Sequence, residues 1–577
     1  MGSISSSKRG KKTYYYYKES FRVKINPDDS GRTRGSGKSR VTSRADYLGT
    51  AEEIRDIVKR GREPKRVVLR NFGLLAAAYQ TAKLLNLPQI LEEHIPGSRY
   101  GVPRWTYFFV TILNRLDHAS SKNRMGRWLR KTILPEILGI DPKAFTSKTF
   151  WYVTDDVISE KALQESRAEK GEEEELFVGL EDSVFTAIEI ALFRRINVLM
   201  GLSPHVICYD TTNMYTYIDE PKRSALAATC HSKEGKHHLR HVGLLMAVEN
   251  RHGVPLTSRV YRASTHDSKV FSFMLTDLLT TIRSLCGEDS DIVLVFDKGN
   301  NHSGMMTKMN ASIGWVGALV PSHYPDLLEK DVSAYAGVWK GIPYYRCRRR
   351  VHGMECVLIL TYNDATARKK MHSLQRGIAK LKKEIFTKWQ AYKKPQRTIT
   401  EGIKSLVKKS RYGIYVTVEV RDGTLTIEEN RGEIEKHKKR FGKNITFSNM
   451  LEAESGFLID TYREKNIIED DFKLLKDPTI IRFRPIRHWT DSKIRAYAFC
   501  CVVSMALMRV MQWMTEQAGY TMSPGLLKEE LSDLKEVVII YSLTDARRKV
   551  TERSSVQKNL WKIFNLDPIA EQLSLHK

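Results

Sequence analysis

Two apolar runs in this chain each close on an aspartate. His205 to Tyr209 leads into Asp210, and Ile292 to Phe296 leads into Asp297. Short apolar runs bounded by polar turn residues read as buried strands. Between them, His241 to Val248 and Leu256 to Tyr261 read as two further strands, joined across Arg251-His252-Gly253. Val270 to Cys286 reads as a helix, and Val316 to Val320 as another strand. A three-strand meander, a helix and further strands predict a mixed α/β sheet with carboxylates at two strand ends. A single aspartate after a strand is most often a turn or capping residue, so neither run alone assigns a function.

The flanks divide the chain. Residues 1–70 hold 19 Lys/Arg against 8 Asp/Glu. The first dozen read as a solvated tail. Tyr14 to Val23 and Ser39 to Leu48 read as strands, with Asn26 to Gly37 as the loop between them. Residues 71–200 carry helical periodicity, as in Trp105–Leu116 and Ser183–Met200. The acidic run Glu172–Glu175 reads as a solvated loop or helix start. Residues 201–324 hold the first part of the sheet, and 325–455 interrupt it. Within that insertion, Tyr344–Val351 with Cys356–Tyr362 and Tyr415–Val420 with Thr424–Glu428 read as hairpins, the second around Asp422-Gly423. Ala367, Met371, Leu374, Ile378, Leu381, Ile385 and Trp389 form the apolar stripe of a basic amphipathic helix between them. The stripe suits a core face or a contact between protomers. Residues 456–577 complete the core and a C-terminal helical region. There Gly456 to Thr461 reads as a short strand, and Tyr462 to Lys476 as a helix.

Composition narrows the function. The 577 residues carry a formal net charge of +27, with 41% hydrophobic residues. That apolar content excludes a fully disordered chain, and the charge points to a polyanionic partner, nucleic acid first. Seven cysteines with no pair at C-x-x-C spacing argue against a disulfide scaffold or a zinc ribbon. Ala496 to Met508 is apolar over 13 residues, short of the roughly 20 that span a bilayer. It reads as a buried helix, so no membrane association is expected. The segment 368–411 has 15 Lys/Arg against Glu384 and Glu401. Lys380, Lys382, Lys383, Lys393 and Lys394 are its candidate phosphate contacts, and a solvated helix face is the plainer alternative.

The helix Tyr462–Lys476 brings these signals together. At about 100° per residue, Tyr462, Lys465 and Lys476 fall within about 40° of Glu469. A carboxylate flanked by cations and a phenol suits a phosphate beside a metal. Asp470 and Asp471 lie about 100° and 200° away, so Glu469 is the carboxylate of that face.

Tyr462, Glu469 and Lys476 stand at the spacing Tyr-x6-Glu-x6-Lys. This resembles the Tyr-Arg-Glu-Lys signature of a group of insertion-sequence DDE transposases. Lys465 replaces the signature arginine, and Arg463 lies two positions away. Asp210 and Asp297 match the family's first and second catalytic aspartates in context and order. His241-Val-Gly-Leu-Leu, Gly253-Val-Pro-Leu and Thr265-His-Asp267 look like the segments between them. The likeness covers about residues 12–515.

The resemblance implies an α/β fold: a ribonuclease H-like mixed sheet core with a largely β insertion, preceded by a basic β segment and a helical region that binds transposon ends. It implies that Asp210, Asp297 and Glu469 are catalytic and hold two Mg²⁺ ions, which Mn²⁺ can replace. Tyr462, Lys465 or Arg463, and Lys476 would position DNA phosphates. The implied reaction is hydrolysis at a transposon end, then attack of the freed 3′-OH on target DNA. The implied partners are terminal inverted repeats, target DNA and a second copy of the chain or a higher assembly. The expected setting is the nucleoid of a prokaryotic cytoplasm. The rival readings are a ribonuclease H-like nuclease without strand transfer and an inactive DNA-binding protein.

Two other motifs compete. Cys230, His231, His237, His238 and His241 are dense, with His237 and His241 four apart. His241 opens a strand and no second cysteine is near, so zinc is the weaker reading. Gly35-Ser36-Gly37-Lys38-Ser39 echoes a phosphate-binding loop. Its spacing from Gly31 is one residue too long, and a flexible basic loop fits better.

Overall fold

A computed structural model describes residues 2–10, 12–24, 39–59, 64–163, 183–202, 205–220, 223–232, 234–287, 291–301, 306, 309, 313–391, 396–421, 423–541 and 546–575. The expected loop at Asn26–Gly37, the phosphate-loop echo at Gly35–Lys38, the acidic run Glu172–Glu175, and Lys393 and Lys394 lie outside these residues.

The chain opens with an antiparallel sheet of β1 (Gly2–Arg9), β2 (Lys12–Lys24) and β3 (Ser39–Thr50). The first dozen residues were expected as a tail and instead supply β1, paired from Gly2↔Glu19 to Arg9↔Lys12. Nearly all of β1 is exposed, Ile4 included. Backbone pairing holds it without a buried face, so its sequence carries no apolar alternation. β4 (Arg66–Asn71) pairs with a strand from the far end of the chain, Lys535–Ile540. The fully buried Glu536 of that strand is held by Arg70 at 2.6 Å and by Arg548.

Helices α1 (Gly73–Leu84), α2 (Arg104–Asp117) and α3 (Ser183–Met200) follow, the last two close to the predicted spans. The central meander is β5 (Val206–Thr216), β6 (Arg240–Glu249) and β7 (Pro255–Arg262). Helix α4 (Asp267–Cys286) leads to β8 (Val293–Val295) and β9 (Gly314–Ala318). β8 lies parallel to β5 and to β9, while β5, β6 and β7 are antiparallel. The spatial order β7-β6-β5-β8-β9 is a meander extended by two parallel strands through a crossover helix, the arrangement of a ribonuclease H-like core.

The insertion does not stand apart from this sheet. β10 (Gly337–Trp339), β11 (Ile342–Val351) and β12 (Met354–Tyr362) join it. The link is a strand that returns at Lys443–Ser448 and pairs with both β12 and β9. Nine strands therefore form one sheet. What leaves the sheet is residues 364–442. They hold α5 (Asp364–Gln390), α6 (Gln396–Lys409), the hairpin β13 (Val416–Arg421) with β14 (Thr424–Glu429), and a short helix. The expected largely β insertion is thus corrected: its strands are split between the main sheet and one small hairpin, and long helices fill the rest. Leu374, Ile378, Leu381 and Ile385 of α5 are buried against Ile399, Ile403 and Val416 in a core separate from the main one. The amphipathic stripe is therefore core.

Gly456 to Thr461 is helical, not a strand. α7 (Ser455–Glu464) and α8 (Asn466–Lys476) meet at a break on Lys465. A six-residue apolar run does not separate a strand from a buried helix turn by periodicity. α9 (Asp491–Gln517) is long and apolar enough to cross a membrane, but 94% of its most apolar window is buried inside the fold.

Candidate active site

Asp210 and Asp297 are placed by one register. β5 and β8 pair in parallel, with Val295 opposite Cys208. Each aspartate lies two residues further on, so both fall on the same side of the pleat. Asp210 does not end its strand as expected. β5 runs on to Thr216, paired there with β6, where Asp210 faces Met246, and bridged at Thr216 to Ile486. The parallel neighbour stops, and that opens the edge beside Asp210. Both carboxylates turn back the same way. Asp210 Oδ1 accepts from the Thr211 N–H and Asp297 Oδ1 from the Lys298 N–H, each at 2.8 Å.

α7 and α8 bring the third carboxylate and its companions. The Tyr462 hydroxyl donates to Asp297 Oδ1 at 3.3 Å. Lys465 Nζ lies 3.4 Å from Asp210 Oδ2 and 3.4 Å from Glu469 Oε1. Lys476 Nζ donates to the Thr212 hydroxyl at 2.6 Å, two residues past Asp210. The helix face drawn from the sequence thus meets the two strands despite the break at Lys465. Arg463 is exposed on the adjacent surface, and Lys465, the residue at the signature position, makes the contact.

Electrostatics ties the group together. Lys465 is buried. Burial opposes its charge, yet Asp210, Asp297 and Glu469 together raise it above the ordinary lysine range. Burial pushes the Tyr462 phenol up, and the same three carboxylates push it further. Tyr462 therefore stays a neutral donor.

Asp210, Asp297 and Glu469 offer carboxylate oxygens, the donor type that Mg²⁺ takes. Their charges converge on the Lys465 ammonium, so a positive charge suits the point between them. Among the described residues no three His, Cys, Asp or Glu side chains stand close enough together to hold a metal ion.

Sequence reasoning missed several partners. The Thr211 hydroxyl donates to Asp267 Oδ1 at 2.9 Å, which ties the start of α4 to the residue after Asp210. Glu234 lies 3.7 Å from Lys476 and also pairs with Arg484. It sits in the stretch weighed as a zinc cluster, where His241 is a buried strand residue opposite Tyr215 and the His237 ring accepts from the Ser232 N–H. Nothing in the spacing marks Glu234. Asp471, the rejected neighbour, is fully buried and paired with Arg509 at 2.6 Å.

The basic helix stands away from this group. Lys380 is exposed, 3.9 Å from Glu384. Lys383 is exposed as well. Lys382 is tied to Glu429 at 2.6 Å.

No family model matches this chain, and no curated protein matches it. Among solved structures, a piggyBac transposase synaptic complex with hairpin DNA is similar over 81% of this chain and 82% of its own, at 10% identity and a TM-score of 0.40. A likeness that slight supports no assignment.

Proposed function

We propose that this chain is a DNA transposase that cleaves the ends of its insertion sequence and joins the freed 3′-OH to target DNA. The observation that carries the reading is the meeting of Asp210 in β5 and Asp297 just past β8 with Tyr462 of α7, Lys465 at the break, and Glu469 and Lys476 of α8. A turn or capping role accounts for one aspartate, but not for two facing a buried lysine and a third acid. A net charge of +27 suits a DNA substrate.

In this reading Asp210, Asp297 and Glu469 hold two Mg²⁺ or Mn²⁺ ions. Bound there, such ions supply the Lewis acidity that activates an attacking oxygen and stabilises a leaving one. Lys465 and Lys476 place a phosphate against the carboxylates, and neutral Tyr462 donates a hydrogen bond. Thr212 and Glu234 hold the Lys476 ammonium in place. Arg463, Lys380 and Lys383 contact DNA backbone further out. The partners are the element's inverted repeats and target DNA, with a second copy of the chain assembled on them, in the nucleoid of a prokaryotic cell.

The test uses labelled end DNA with Mg²⁺, and then precut ends with a target plasmid. Cleavage followed by joining is expected. Cleavage without joining would leave a nuclease, and neither would leave a DNA-binding protein.

A further inference from the structure

A cavity of about 650 Å³ lies where the segment after α2 meets the strap leading into α9. Its walls carry Arg115, Lys122, Arg482, Arg487 and Lys493 and the ring of His488, and none of its lining residues is Asp or Glu. We propose that this cavity binds the phosphate of a single nucleotide unit, borne either by the end of an unpaired DNA strand or by a free nucleotide. The proposal stands whether or not the carboxylate centre cuts DNA.

The charge inside the walls is unbalanced. Lys493 is buried and pairs with Asp155, outside the lining. Lys122 and Lys493 place their ammonium groups 5.7 Å and 4.3 Å from the centre of one ring, Trp151. Neither an acid nor another acceptor meets Lys122 among the described residues. Burial and then Lys493 pull it down to about 8. Burial, then Lys122, Arg115 and Lys493, hold His488 well below the usual histidine range. Arg115 Nε and His488 Nδ1 are buried without hydrogen-bond partners among the described residues.

Arg115 and Lys493 are buried, Lys122 is half-buried, and Arg482 and Arg487 stand exposed at the mouth; buried cations oppose folding unless an anion or acceptor joins them. A phosphate meets arginine and lysine through charge-assisted hydrogen bonds. Tyr497, stacked on His488 with ring centres 4.5 Å apart, supplies an aromatic wall. The volume falls in the range of about 300–1,000 Å³ that takes small ligands, which suits one nucleotide and not a duplex.

The experiment follows the melting temperature of the full chain at pH 7 without divalent metal. The probes are a deoxynucleoside 5′-monophosphate, and a short single-stranded oligonucleotide with and without a 5′-phosphate. A phosphorylated probe should raise the melting temperature of the wild type, and the one that binds more tightly identifies the source. Lys122→Met should melt higher than the wild type unliganded and lose the phosphate-dependent shift. Arg487→Gln, at an exposed position, should weaken binding roughly tenfold. Asp210→Asn should keep the full shift, which separates this site from the carboxylate centre. No shift in the wild type, an unchanged shift in both basic-residue variants, or loss of the shift in Asp210→Asn each overturns the proposal.

Discussion

Asp210 lies within β5 and Asp297 just past the end of β8, each two residues beyond the Cys208–Val295 pair of these parallel strands. They are 87 residues apart in sequence (297 − 210), and a single strand pairing removes that distance. Asp210→Asn keeps the volume and the strand and removes one charge. It should bind end DNA as the wild type does and show no cleavage in Mg²⁺ or Mn²⁺. Glu469→Gln should fall by several orders of magnitude in the same assay. Wild-type cutting by either variant would place the chemistry elsewhere.

Lys465 occupies the point where three acids converge. Without it, like charges face one another. Lys465→Gln should melt below the wild type in EDTA and recover most of the loss when Mg²⁺ is added, because a cation then takes over the neutralisation. Melting curves with and without Mg²⁺ check this, and a loss that Mg²⁺ does not touch would assign Lys465 to packing alone.

The Asp471–Arg509 pair makes a contrasting case. Asp471 is fully buried, and only the guanidinium answers its charge among the described basic groups. Removing one partner of a buried pair costs about 3–5 kcal/mol. Arg509→Met should lower stability by that order in urea denaturation, and adding Asp471→Asn should restore part of it. Asp471→Asn alone should act through stability, so its cleavage rate per folded molecule should stay within about tenfold of wild type, or roughly 1.4 kcal/mol of barrier.

DNA binding by the basic helix is read from salt dependence. Lys380 and Lys383 are exposed, whereas Lys382 is engaged by Glu429. Every phosphate that a substitution leaves without its lysine should lower the log–log slope by about 0.9. Lys380→Gln with Lys383→Gln should therefore flatten the slope, and Lys382→Gln should leave it unchanged. An equal change from all three would return the helix to a general charge effect.

Lys122 supplies a pH signature. Its value falls from 10.5 to about 8 on folding, through burial and Lys493. The unfolded chain thus holds the proton more tightly between these values. The wild type should gain stability as pH rises from 8 towards 10.5 and lose that gain as pH falls through 8. Lys122→Met should lack this component, so its advantage over the wild type should be largest below pH 8 and vanish near 10.5. The facing groups are Lys493, Arg115, His488 and Trp151. Chemical denaturation across this pH range checks it.

Much of this was legible because it is local. The meander, the crossover helix and the strands before Asp210 and Asp297 follow from short apolar runs and turn residues. The face of Tyr462, Lys465, Glu469 and Lys476 follows from helical period, and the break at Lys465 does not move it off the carboxylates. What escaped is long-range or unpatterned. The pairing of Lys443–Ser448 with both β9 and β12 joins strands far apart in sequence. β1 buries no face, so no alternation announces it. Glu234 reaches the site from a loop and Asp267 from the start of α4, through tertiary placement that spacing does not encode.

The small lobe with its own core departs and returns at neighbouring positions. Tyr362 at the end of β12 lies opposite Lys443 at the start of the returning strand, and the Asn363 N–H donates to the Gly442 carbonyl at 2.9 Å. The two strands already stand as the arms of an antiparallel hairpin, with residues 364–442 in place of its turn. Such a segment is a cassette. Its length and sequence can change in evolution, or be exchanged for a two-residue turn, while the hydrogen-bond ladder that holds Asp210 and leads into Asp297 keeps every rung.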